Sequence, residues 1–138
     1  MKVFLDANVL VSVLNKEYPL FPISSRVLSL ADSRRVQLYT SPICLAIAFY
    51  FSEKKSGSDM AKLKIEMLSR KILMTAVDQE AVNETLSNRQ VQDFEDGLEY
   101  YSAMGSGCDV VVTEDPDGFY YSQIPVIGCE NFLEEYIF

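Results

Sequence analysis

The N-terminal stretch Met1-Lys2-Val3-Phe4-Leu5-Asp6-Ala7-Asn8-Val9-Leu10 decides the fold, because a short apolar run there ends in a single carboxylate. Residues 2–5 predict a buried strand, since Val3, Phe4 and Leu5 form a short, continuous apolar run after Lys2. Asp6 then stands at the carboxyl end of that strand. Ligands of open α/β sheets bind at this edge, so Asp6 predicts a site for a metal ion or a polar substrate.

The remainder of the chain alternates predicted strands with predicted helices. Further strands are predicted at 36–40, 72–77, 108–113 and 125–127. Helices are predicted at 8–15, 23–34, 43–51, 59–70, 78–88, 91–104 and 130–136. This alternation is typical of a parallel sheet covered on both faces. We therefore expect an α/β fold, a three-layer α/β/α sandwich with a central parallel sheet, in which residues 1–138 form one domain.

Two of these helices have faces that the sequence defines. The helix at 43–51 is apolar nearly all round, which predicts deep burial, and residues 53–59 after it are expected to form a connecting loop. The helix at 91–104 carries an apolar stripe on one side. The predicted members of that stripe are Phe94, Leu98 and Tyr101. Asp96 lies away from this stripe.

Composition excludes several classes of protein. The 138 residues contain no His, which rules out His-based catalysis and His-bound zinc. Three Cys without a C-x-x-C spacing favour reduced thiols in a cytoplasmic protein. No apolar stretch of 18 residues is present, so no membrane span is expected. The net charge of −8 argues against a broad nucleic-acid footprint.

Carboxylates follow the strands at three places in the chain. Asp6 follows the first strand, and Asp115 and Asp117 follow the strand at 108–113. A third set begins the helix at 91–104 and comprises Asp93, Glu95, Asp96 and Glu99. If the first and fourth strands are neighbours in a parallel sheet, Asp6 and Asp115 face one cleft. Oxygen ligands of this kind suit a hard divalent cation such as Mg²⁺.

Each carboxylate also has a purely structural explanation. Acidic residues at the start of a helix are favoured by the helix dipole, by about 0.3–1 kcal/mol each. Residues 115–118 read Asp-Pro-Asp-Gly, which suits a turn, and Asp6 is able to cap the helix that follows it. The acidic residues alone therefore do not select a reaction.

Taken together, three blocks resemble the signature motifs of PIN-domain ribonucleases of the VapC type. They are Phe4-Leu5-Asp6-Ala7-Asn8-Val9-Leu10, Asp93-Phe94-Glu95-Asp96-Gly97-Leu98-Glu99-Tyr100 and Gly107-Cys108-Asp109-Val110-Val111-Val112-Thr113-Glu114-Asp115. The resemblance implies acidic residues that hold Mg²⁺ or Mn²⁺ at the sheet edge and cleave RNA endonucleolytically. It further implies the toxin of a toxin–antitoxin pair, a homodimer held inactive by a small antitoxin protein.

The resemblance also assigns individual roles. Three acidic residues match the family's metal-binding and catalytic positions: Asp6, Asp96 and Asp115. Three polar residues match positions that orient ligands or substrate: Asn8, Thr113 and Asp117. Gly97 stands where the family more often has Ala.

One position departs from the family pattern. PIN domains usually carry a Glu, or in some branches an Asn, on the helix after the second strand, and here that position falls near Ile47. An alternative is therefore a catalytically weakened or inactive PIN-fold interaction module. A third possibility is a receiver-type phosphohydrolase with Asp6 as the nucleophile. It is disfavoured because Asn8 stands where a second Asp is required and the loop after Thr113 contains no Lys.

Overall fold

The computed structural model describes residues 1–138 and contains a sheet of five parallel strands flanked by helices. The strands are β1 (Lys2–Leu5), β2 (Gln37–Thr40), β3 (Leu73–Met74), β4 (Val110–Val112) and β5 (Val126–Ile127). All four pairings between neighbouring strands are parallel. The predicted α/β fold with a parallel central sheet is confirmed.

Seven α-helices connect and cover these strands. They are α1 (Ala7–Leu14), α2 (Phe21–Ser29), α3 (Pro42–Ser56), α4 (Ser58–Ser69), α5 (Gln79–Ser87), α6 (Phe94–Gly105) and α7 (Cys129–Phe132). Within the helical layers, α3 packs against α1 and α4, and α5 packs against α6. None of the helices has the length and apolar character needed to cross a membrane.

The strand order β3-β2-β1-β4-β5 places a topological switch point between β1 and β4. From β1 the chain runs outward to β2 and β3, and it then returns to the opposite side of β1 to form β4 and β5. Connections that leave two neighbouring strands in opposite directions open a crevice at their carboxyl ends, where ligands of such sheets bind. Leu5 pairs with Val112, so these two strands end side by side.

The sheet is buried because its central strands carry apolar side chains on both faces. Val3, Phe4 and Leu5 of β1 are fully buried, as are all three Val residues of β4. Parallel strands covered on both faces require such continuous apolar runs. Burial of this core fixes the positions at which β1 and β4 end, and therefore the positions of the polar residues that follow them.

The helix after β2 is longer and less buried than its sequence predicts. α3 continues to Ser56, so the expected loop at 53–59 is wrong, and Gly57 with φ of +86° separates α3 from α4. Tyr50 and Phe51 are 51% and 45% exposed, which contradicts the predicted deep burial. The helix extends because Glu, Lys and Lys follow the apolar run, and these residues favour helix.

Two other elements differ in extent from their predictions. The strand expected at 72–77 is only Leu73–Met74, because it forms the edge of the sheet and pairs on one side alone. The helix expected at 23–34 begins earlier, at Phe21, and changes at Leu30–Asp32 to a 3₁₀ turn. Neither change alters the order of the strands.

The buried face of α6 also differs from the predicted stripe. Leu98 is buried as expected, but Phe94 is 48% exposed and Tyr101 is only partly buried. Tyr100 and Glu99 are buried in their place. The helix is therefore rotated so that the Glu99 carboxylate, as well as the Tyr100 ring, points into the protein.

Gly97 allows α6 to approach the preceding segment closely. A Cβ atom added there would lie 2.5 Å from Thr85 Cγ2 and 2.7 Å from Val91 Cγ1, both closer than real Cβ contacts. Both neighbours are β-branched and stiff, so they cannot move aside easily. The close approach explains why this chain has Gly at a position where Ala is more common.

We expect Gly97→Ala to lower the free energy of unfolding by about 1–3 kcal/mol, through overpacking against Thr85 and Val91. Urea denaturation followed by circular dichroism measures this change. Gly105→Ala in the same helix is the matched control, because nothing lies within 4 Å of its added Cβ. That variant should be as stable as the wild type or slightly more stable. Equal stability of Gly97→Ala and wild type would contradict the packing argument.

Candidate active site

An open cleft of about 490 Å³ lies at the carboxyl ends of β1 and β4, at the switch point of the sheet. Five of the residues that line it are acidic: Asp6, Asp93, Glu95, Asp96 and Asp115. Four others are large apolar residues: Val11, Ile47, Phe51 and Phe119. Asn8 and Glu17 also line the cleft.

Asp6 is held rigidly at the base of this cleft. Its side chain is only 8% exposed. Oδ1 accepts the backbone N–H of Ala7 at 2.7 Å, which places the carboxylate at the N-terminus of α1. The capping role predicted from sequence is therefore real, and it directs the second oxygen, Oδ2, towards the end of β4.

Thr113 and Asn8 connect the ends of β1 and β4. Thr113 Oγ1 donates to Asp6 Oδ2 at 2.8 Å and accepts from Asn8 Nδ2 at 3.0 Å. The same oxygen accepts the backbone N–H of Asp115 at 3.1 Å. The hydroxyl thus contacts one acidic residue directly and fixes the backbone of another, the arrangement by which outer groups orient the ligands of a metal.

Asp96 and Asp115 approach each other across Gly118. A Cβ added to Gly118 would lie 3.0 Å from Asp96 Oδ2 and 3.7 Å from Asp115 Oδ2, so both carboxylates converge on this point. Asp93 caps α6 by accepting the backbone N–H of Asp96 at 3.0 Å. Partial burial and the neighbouring carboxylates, Asp93 foremost among them, raise the pKa of Asp96 to about 7.

Glu99 lies beneath Asp6 and was not selected as a site residue from the sequence. Its side chain is 1% exposed, and its ligand atoms lie within 4.8 Å of those of Asp6 and Cys44. Burial and the Asp6 charge raise the pKa of Glu99 to about 10. Burial also raises the pKa of the Cys44 thiol well above its ordinary value. The signal in the sequence was the i, i+3 spacing from Asp96, which places both acidic residues on one side of α6.

No basic side chain neutralises these carboxylates. The ion pairs of the protein join Arg70 to Glu66 and Lys71 to Asp32, away from the cleft. Carboxylates brought together in a partly buried site without a cation repel one another and are costly to ionise. Oxygen ligands that lack a counter-charge fit a hard divalent cation such as Mg²⁺ or Mn²⁺.

Of Asp117 and Ile47, two positions singled out in the sequence, only Ile47 lines the cleft. Asp117 lies exposed in the 3₁₀ turn Pro116–Phe119 and is not among the residues that line the cleft. Ile47 lines the cleft from α3 and offers no donor atom. The structure therefore brings Asp6, Asp96, Asp115, Asn8 and Thr113 to one place, with Asp117 at its periphery.

A switch-point cleft lined with carboxylates on a five-stranded parallel sheet defines a PIN-like α/β protein. The family model described as "PIN domain" matches residues 2–117, and the chain belongs to this family. A curated relative, Ribonuclease VapC1 of Aquifex aeolicus, is 25% identical over 139 residues, with 98% of this chain and 95% of the relative covered. Its similarity to this chain is one of distant homology.

Solved structures share the fold at low sequence identity. VapBC2 from Rickettsia felis, bound to a DNA fragment from its promoter, matches with a TM-score of 0.69 and 16% identity, covering 92% of this chain and 97% of that one. VapBC-1 from nontypeable Haemophilus influenzae matches with a TM-score of 0.69 and 16% identity, covering 94% of this chain and 99% of that one. VapC20 of Mycobacterium tuberculosis, a sarcin-ricin-loop-cleaving toxin, matches with a TM-score of 0.62 and 14% identity. The match covers 79% of this chain and 86% of that one.

Proposed function

We propose that this protein is a metal-dependent endoribonuclease that hydrolyses RNA phosphodiester bonds, with Mg²⁺ or Mn²⁺ held by Asp6, Asp96 and Asp115. The observation that carries the proposal is the group of carboxylates without a counter-charge at the switch point of a PIN-family sheet. Distant homology to a VapC ribonuclease over the whole chain supports the same reaction.

The side chains around the cleft have different roles in such a reaction. A divalent cation, when bound, supplies charge neutralisation for the scissile phosphodiester and activation of the attacking water. Asp6 is fixed by Ala7 and Thr113, so its carboxylate needs little reorganisation to act as a ligand. Phe51 lines the same cleft, is 45% exposed and offers a surface on which an RNA base can stack.

We further propose that the protein is the toxin of a toxin–antitoxin pair, held inactive by a small antitoxin protein, and that it forms a homodimer. Two of the solved structures that share its fold are VapBC complexes. Tyr50, Phe51 and Met67 are large apolar side chains exposed on α3 and α4, and a protein partner would bury such a surface.

A non-catalytic interaction module on the same fold is the second candidate. The observation that favours it is Ile47, an apolar side chain in the cleft where PIN domains usually carry a polar ligand. This candidate predicts that Mn²⁺ leaves the melting temperature unchanged, because only a ligand that binds the native state stabilises it.

Incubation of the purified protein with a structured RNA tests the proposed reaction. We expect cleavage with Mg²⁺ or Mn²⁺, and none in excess EDTA, because the carboxylates need a cation to act on a phosphodiester. Mapping of the product ends establishes internal cleavage. Equal cleavage with and without EDTA would contradict the proposal, and no cleavage together with no Mn²⁺-dependent rise in melting temperature would favour the interaction module.

A further inference from the structure

Glu99 is a buried carboxylate that the rest of the protein satisfies only in part. It is 1% exposed, and its Oε2 atom has no hydrogen-bond partner. Glu is almost never fully buried unless it is paired, and no Lys or Arg contacts it. A buried polar atom left without a partner destabilises the folded protein, and more so if it is charged. The protein therefore retains Glu99 at a cost to its stability.

The position of Glu99 connects it to the cleft. Glu99 follows Asp96 by three residues on α6. A carboxylate oxygen of Glu99 lies within 4.8 Å of a ligand atom of Asp6. Ligand oxygens around one divalent cation, each about 2.0–2.6 Å from it, lie within such a distance of one another. Glu99 therefore stands where its carboxylate and that of Asp6 are able to share a cation.

The opposite helix explains why a ligand from α6 is needed. α3 presents Ile47 to the cleft, and the nearest preceding side chain with a donor atom is Cys44, whose Sγ lies 3.9 Å from Asp6 Oδ1. A thiol is a soft ligand, whereas Mg²⁺ and Mn²⁺ prefer oxygen. The apolar Ile47 leaves the α3 side of the site without an oxygen ligand.

We propose that Glu99 is the fourth acidic ligand of the cation site, supplied by α6 in place of the oxygen ligand that α3 lacks at Ile47. This inference rests on the proposed function, and it assigns to the site a residue to which the family resemblance gives no role. It predicts that the cation lies closer to the buried Asp6 and Glu99 than to the exposed Asp115.

Isothermal titration of Mn²⁺ into EDTA-stripped protein tests the assignment. We expect Glu99→Gln, which keeps the shape of the side chain, to lower Mn²⁺ affinity at least about tenfold. Glu84→Gln is the matched control, because Glu84 is exposed on α5. The Mn²⁺ affinity of this variant should equal that of the wild type. Thermal unfolding in EDTA confirms that each variant is folded.

A second variant makes the test independent of any folding defect. In Glu99→Gln protein, the additional change Ile47→Glu returns an oxygen ligand from α3, and we expect it to restore most of the lost Mn²⁺ affinity. Wild-type affinity in folded Glu99→Gln, or a loss that Ile47→Glu leaves unrepaired, would overturn the assignment of Glu99. Failure of the wild type itself to bind Mn²⁺ and cleave RNA would instead overturn the proposed function.

Discussion

Asp6→Asn is expected to lower the rate of metal-dependent RNA cleavage by more than about 100-fold. The amide removes the negative charge at the base of the cleft, and its nitrogen cannot serve as a cation ligand. The fold should survive, because an Asn oxygen is still able to accept the N–H of Ala7. Cleavage of one end-labelled RNA at a fixed Mn²⁺ concentration measures the effect.

The matched control is Asp59→Asn. Asp59 is an exposed acidic residue in the first turn of α4 and does not line the cleft. The Asp59→Asn variant should cleave RNA at the wild-type rate, although it changes the net charge by the same amount as Asp6→Asn. If Asp6→Asn and Asp59→Asn cleave RNA equally well, Asp6 has no role in the reaction, and the observed activity belongs to another site.

Thr113→Val is expected to reduce Mn²⁺ affinity, and with it the cleavage rate, by about 10–100-fold. Val has nearly the same shape as Thr, so the change removes only the hydroxyl. That hydroxyl donates to Asp6 and accepts from Asn8 and from the backbone of Asp115. Without it, two of the proposed ligands lose the group that orients both of them.

Thr85→Val provides the comparison for this variant. Thr85 is equally buried, but its hydroxyl donates to the carbonyl of Ala81 within α5. We expect this control to lose some stability and to keep its Mn²⁺ affinity, which separates orientation of the site from loss of a buried hydrogen bond. Unchanged affinity in Thr113→Val would show that the hydroxyl network does not organise the site.

The placement of Asp6 and Asp115 in one cleft was predictable from the sequence. Both residues follow short apolar runs, and the parallel arrangement of the two runs brings their carboxyl ends to one edge. The signal is strong because a buried parallel strand must be continuously apolar, so the first polar residues after it mark the strand end.

The contribution of α6 was not predictable in the same way. The hydrophobic pattern of this helix predicts a buried stripe of Phe94, Leu98 and Tyr101. The structure instead buries Glu99 and leaves Phe94 half exposed. Hydrophobic periodicity assumes that charged residues face solvent. A carboxylate turned inward towards Asp6 violates that assumption, and only the tertiary arrangement of the helices shows it.

The exposed face of α3 escaped prediction for the opposite reason. An all-round apolar helix is typical of the interior, but Tyr50 and Phe51 are exposed. Apolar residues beyond those that the core requires are consistent with a surface that a partner covers. A single chain carries no information about which of its apolar residues pack internally and which are kept for an interface.

Isothermal titration of Mn²⁺ into metal-free wild type, Asp6→Asn and Asp96→Asn shows whether these acidic residues hold a cation. We predict saturable binding to the wild type and at least about a tenfold loss of affinity in each variant. Absence of binding to the wild type, or equal affinity in all three proteins, would contradict the account.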